Sequence, residues 1–185
     1  MAARPTTEVR RNLKTPQMEA LYEAAFLRIF ASWEVFQEDA TARFMAGAVS
    51  PSYQPVAATG KSLHRSLRAA RTALYNGSDF LLWHNPTKAI DRISRFLVGS
   101  PLEMELSNSQ NRLQHLGNIR HRVAHSSDDA DTKFKAAALH LTGVSFNGSP
   151  GKLLRASDAS DSLNLKRWVS VITKELLDTA ARCVN

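Results

Sequence analysis

Cys183 is the only thiol in this 185-residue chain. One cysteine excludes an intramolecular disulfide framework and an all-thiolate metal site, and it suits a reducing compartment. Glycine and proline are also scarce, with eight and seven residues, about 8% against roughly 12% in average usage. So few breakers favour long helices over a strand-rich fold. No apolar run reaches membrane-spanning length. The longest stretch without Lys, Arg, Asp or Glu, Phe44 to Gly60, is interrupted by Gly47, Pro51 and Pro55. The opening segment carries basic residues but no apolar centre, unlike a secretory signal. These absences predict a soluble, cytoplasmic protein. Neither a low-complexity tract nor a repeat of solenoid length is visible.

The composition that remains, 43% hydrophobic and 22% charged, is that of an ordinary globular domain with a real core. At this length one domain is expected. The formal charge of +7 and a sequence pI near 9.9 point toward a polyanionic partner.

Hydrophobic spacing organises the chain into helices. From Pro16 to about Gly47, Tyr22, Phe26, Ile29, Trp33, Phe36, Ala40 and Phe44 recur at steps of three and four, one stripe of a long amphipathic helix. A second helix is expected from about Lys61 to Tyr75, stopping at Asn76-Gly77. A third follows the Asn85-Pro86 cap and ends near Gly99. A fourth covers Glu103 to His125, with Leu106, Leu113, Leu116, Ile119 and Val123 inward. Asp128, Asp129 and Asp131 open a fifth, to about Leu141, where negative charge suits exposed helix amides. Residues 143–155 read as irregular chain or a small hairpin, and a last helix runs from about Ser162 to Val184. The expected architecture is an all-α bundle of five or six helices over residues 16–185, preceded by a basic, flexible arm at 1–15 that carries Arg4, Arg10, Arg11 and Lys14.

One segment concentrates reactive side chains: Gly117-Asn-Ile-Arg-His-Arg-Val-Ala-His125. At about 100° per residue, His121 and His125 fall at roughly 140° and 180° from Leu116, away from the apolar stripe. They form an i, i+4 pair placed for a surface, a cleft or a second subunit. The bland account is a set of solvated cations complementing a helix C-terminus. The chemical account is phosphodiester cleavage. Histidine moves protons near neutrality, and arginine offers a fixed fork of donors to phosphate. Metal binding by the pair lacks an H-E-x-x-H pattern and a third nearby ligand.

Arg120-His-Arg-Val-Ala-His125 resembles the R-x4-H signature of the HEPN superfamily. The order of Phe30-Ala-Ser-Trp-Glu-Val-Phe36, Phe80-Leu-Leu-Trp-His-Asn-Pro86 and this motif is similar to the RiboL-PSP-HEPN group, over roughly Tyr22 to Phe134. The resemblance implies a HEPN-like helical homodimer in which two motifs face each other across a cleft, acting as a metal-independent endoribonuclease without cofactors. A toxin or defence effector is the role it implies, with an antitoxin or a nucleotidyltransferase-like protein as partner. Arg120 and His125 would be the catalytic pair. His121 stands where the family commonly has a polar residue, most often asparagine, and with Arg122 and Glu34 it is a supporting candidate. The competing reading is a non-catalytic helical module that binds a partner protein or nucleic acid.

Other charged and aromatic groups have simpler readings. Arg65, Arg68 and Arg71, at steps of three, are either a solvated helix face or an RNA-tracking stripe. Trp33, Trp83 and Trp168 fall on apolar stripes and are expected in the core. Cys183 is expected to be buried and inert. If the arginine stripe tracks RNA, single-strand binding should weaken with salt at a log-log slope of about −0.7 per phosphate contact. Replacing Arg65 and Arg68 together with Ala should flatten that slope in a fluorescence-anisotropy titration; an unchanged slope would assign them to the solvated face.

Overall fold

The structure, a computed structural model, describes residues 13–78, 80–158 and 166–184. Its regular elements are all helical: α1 Thr15–Met45, α2 Leu67–Tyr75, α3 Pro86–Ser94, α4 Pro101–Asn108, α5 Gln110–Ala124, α6 Asp128–Thr142, α7 Pro150–Arg155 and α8 Trp168–Val184. Eight helices thus replace the expected five or six among the described residues. No strand forms there; three isolated bridges are the only β pairings. None of the described helices is long and apolar enough to cross a membrane. Arg4, Arg10, Arg11 and the expected start of the last helix at Ser162 lie outside the described residues.

α1 is the spine of the molecule. Its 31 residues, about 1.5 Å each, bury Phe26, Phe30, Trp33, Phe44 and Met45. α2, α7 and α8 pack along it, together with parts of α4 and α5. α5 and α6 form a hairpin. Arg122 meets Asp131 near its turn, and His115 stacks on His140 farther out, so the two helices run antiparallel. Trp33, Trp83 and Trp168 are buried in the shared core, as their stripes predict. Cys183 is buried too, and loss of solvent pushes its thiol up to about 12.

Where the structure departs from the expected bounds, local chemistry gives the reason. The helix expected over Lys61–Tyr75 begins only at Leu67, because Ser66 caps it by accepting from the Ala69 amide at 3.2 Å. Its end is as expected: Asn76 adopts φ +43°, a left-handed cap. The helix from Pro86 stops at Ser94 rather than near Gly99. There the chain peels away to pair with residues 56–58, through Ala58 N to Phe96 O and Val98 N to Val56 O, both 2.9 Å. The single helix expected over Glu103–His125 is two, α4 and α5, joined at Ser109. Ser107 Oγ bonds back to the Glu103 carbonyl at 2.8 Å, a contact that bends helices and competes with their ladder.

The irregular segment expected over 143–155 contains α7, whose six residues bury Pro150, Gly151, Leu153 and Leu154. Periodicity cannot reveal so short a helix. Docking on α1 holds it: Ser149 Oγ donates to Glu19 at 2.5 Å, and the Gly151 amide donates to Glu23 at 2.8 Å. The approach is so close that a Cβ at residue 151 would lie 2.4 Å from the Glu19 carbonyl oxygen. Gly151→Ala should therefore destabilise the fold by about 1–3 kcal/mol, despite alanine's better helix propensity. Thermal melting by circular dichroism should show a lowered Tm, and an unchanged or raised Tm would contradict this packing.

Candidate functional site

Three successive polar positions on one face of α1 grip the segment before α3. Gln37 Nε2 donates to the Trp83 carbonyl at 3.1 Å. Trp83 Nε1 donates to Glu38 Oε2 at 3.3 Å, and the Tyr75 hydroxyl donates to the same oxygen at 2.9 Å. Glu34, one turn earlier, lies 4.0 Å from His84 Nδ1. Spacings of three and four put these side chains on one side of the helix. The Trp83-His84 backbone is thereby fixed from below.

α5 closes the arrangement from the other side. Gly117 meets the His84 backbone so closely that a Cβ there would sit 2.7 Å from the His84 carbonyl oxygen. That contact brings Arg120, nearly one turn on, to the same carboxylate: its Nε lies 3.4 Å from Glu34 Oε1. Oε1 itself is buried without an aligned hydrogen bond, so the interaction is an ion pair in a half-buried place. Burial pushes the Glu34 carboxyl above its ordinary range, and the Arg120 guanidinium opposes this without cancelling it. Burial also pushes the His84 imidazole down, with Arg120 and His121 acting in the same direction. His84 is therefore biased toward its neutral form beside Glu34 and the Arg120 guanidinium.

The two histidines of the motif meet. Their ring centroids are 4.6 Å apart at an interplanar angle of 47°. The helix ends at Ala124, one residue short of its expected end, and His125 is the C-cap: extended at φ −139°, it donates its amide to the His121 carbonyl at 2.9 Å. His125 is exposed and His121 half-buried. Burial, then the neighbouring His125 and Lys133, press the His121 imidazole down, with Asp129 opposing. A neutral ring at the solvent edge can accept a proton.

Arg122 faces another way. Its Nε lies 3.3 Å from Asp131 on α6, and its Nη1 donates to the His125 carbonyl at 3.3 Å. It ties down the turn between α5 and α6 and so places His125. No ion pair, hydrogen bond or ring contact joins Arg120 to His125. The structure brings Glu34 to Arg120 and His121 to His125, in two adjacent groups rather than one. His84 completes the first group, and the spacing argument did not single it out. The signal for it was a histidine immediately before the Asn85 cap, whose side chain accepts from the Lys88 amide at 3.1 Å.

The arginine stripe is not continuous. Arg65 precedes α2, Arg68 is exposed on it, and Arg71 is paired with Asp39 on α1 at 2.7 Å. The aspartates at 128, 129 and 131 occupy the first turn of α6, behind a Ser127 cap, where their charge was expected.

No family model, curated protein or solved structure matches this chain.

The raised Glu34 carboxyl fixes the sign of a pH effect. A folded state that holds this proton more tightly than the unfolded one loses stability as pH rises through the carboxylate range and regains it in acid. Glu34→Gln cannot titrate. Denaturant melts of both proteins should show the wild type gaining stability relative to the variant as pH falls from neutrality. At neutral pH the variant should be no less stable. A pH-independent difference, or a variant clearly less stable than the wild type at neutral pH, would contradict this balance.

Proposed function

We propose that the protein is a metal-independent endoribonuclease working through a HEPN-like homodimer. The observation that supports it most is the imidazole pair at the exposed end of α5, with a neutral-leaning His121 beside His125 and the Arg120 guanidinium on the preceding residue. In this reading one imidazole takes the proton of a ribose 2′-hydroxyl. The freed oxygen attacks the adjacent phosphorus, the P–O5′ bond breaks, and an imidazolium protonates the leaving 5′-oxygen. Arg120 stabilises the charge added at phosphorus. Glu34 positions Arg120. Within one chain Arg120 and His125 do not touch, so a second copy supplies the complement: two α5 ends facing each other combine the arginine of one with the histidine of the other.

The same gap favours a second reading. Arg120 engaged with Glu34 fits a non-catalytic helical module that binds a partner protein or RNA.

Incubating the protein with single-stranded RNA in chelator decides between them. The expected products are a 2′,3′-cyclic phosphate, or the 3′-phosphate it opens to, and a 5′-hydroxyl, with DNA left intact. His125→Ala should lose at least about a hundredfold in rate, as expected for a positioned acid or base. Arg120→Ala should lose about 3 kcal/mol of transition-state stabilisation. Metal-dependent cutting, a 5′-phosphate product or full activity in His125→Ala would overturn the nuclease. Binding without cleavage would select the module.

A further inference from the structure

A second concentration of positive charge lies outside the Arg120–His125 region. The 60–64 segment, the capped end of α2 and the last turn of α3 enclose an open cleft of about 760 Å³. Lys61, His64, Arg92 and Arg95 line it, and no described Asp or Glu does. Two guanidinium groups and an ammonium, with an imidazole beside them and no acid among the described lining residues, make the cleft attractive to an anion.

The way these cations are held matters more than their number. Lys61 Nζ sits 5.5 Å from the centroid of the Phe96 ring, and Arg92 Cζ sits 5.8 Å from that of Trp83. Aromatic faces stabilise a cation without consuming its N–H donors. Among the described residues, neither Lys61 nor Arg92 pairs with a carboxylate. Arg95 does give one nitrogen to Asp91, at 2.5 Å, and its fork retains further donors. The hydroxyls of Ser62 and Ser78, also in the wall, make no side-chain hydrogen bond within the described chain. Burial and the neighbouring Arg95 work against the charge on Arg92, with Asp91 and Tyr75 opposing them, and an anion between the two guanidinium groups would lower the remaining cost.

Forked guanidinium donors, an ammonium and free hydroxyls match the tetrahedral oxygens of phosphate better than a lone carboxylate. We propose that this cleft binds a phosphate group of a nucleotide, either free or within an RNA chain. It stands on its own residues and does not require that the protein cleave RNA.

Isothermal titration with inorganic pyrophosphate, with ADP and with a short single-stranded RNA tests it on the full chain. Lys61→Gln and Arg92→Gln should each weaken binding of whichever probe occupies the cleft by about tenfold or more, the loss expected for a charge-assisted contact. Lys174→Gln, in an exposed ion pair of α8 that does not line the cleft, should bind like the wild type. Tight ADP or pyrophosphate binding that RNA does not displace identifies a free nucleotide as the source. RNA binding weakened by the same variants, with or without pyrophosphate binding, identifies the chain phosphate. Should Arg92→Gln fail to fold, Arg92→Lys and the exposed Lys61→Gln carry the test. No binding of any probe, or binding indifferent to Lys61 and Arg92 in variants with unchanged melting, would overturn the proposal.

Discussion

A half-buried carboxylate, Glu34, is the point on which the site depends. It lies where α1, the His84 segment and α5 converge, with Arg120 Nε at 3.4 Å and His84 Nδ1 at 4.0 Å. Its charge is costly there, which burial expresses by lifting the carboxyl above its ordinary range. The guanidinium opposes that cost, so the pair constrains both partners. Arg120 is kept against the protein, and the imidazoles one residue and five residues later are left facing outward. Gly117 enforces the geometry by letting α5 lie against the His84 carbonyl.

Around this centre the polar face of α1 does two jobs at once. Glu34 addresses the candidate site, while Gln37 and Glu38 hold Trp83 by its carbonyl and its indole nitrogen. Trp83 in turn lies under Arg92, one of the cations lining the second cleft. The short 83–84 segment thus touches a residue of each place, its indole beneath Arg92 and its histidine beside Glu34.

Much of the fold was legible in the sequence, because long amphipathic stripes have one stable solution, burial of the stripe. The spine from Pro16, the left-handed stop at Asn76, the Asn85-Pro86 cap and the acidic start of α6 all appear where spacing and capping chemistry put them. What spacing could not show was set by tertiary contact. α7 exists because Glu19 and Glu23 on a distant helix hold its first turn. The break at Ser109 follows the Ser107 side chain, which bonds back to the Glu103 carbonyl and competes with the ladder. At the site, the wheel placed His121 and His125 together and away from the core, as the structure has them. It could not pair Arg120 with Glu34, 86 positions earlier, nor bring in His84, since neither partner shares a helix with the motif.

The central claim is that Arg120 and His125 work across two copies, because one chain does not join them. Mixing purified Arg120→Ala and His125→Ala chains, after reversible dissociation, tests this directly by RNA cleavage in chelator. A composite site re-forms in mixed dimers from the intact arginine of one chain and the intact histidine of the other. The account predicts cleavage well above the sum of the two parents, yielding cyclic phosphate ends. A mixture no more active than its parents, with mixed dimers demonstrably present and the wild type active, would contradict it.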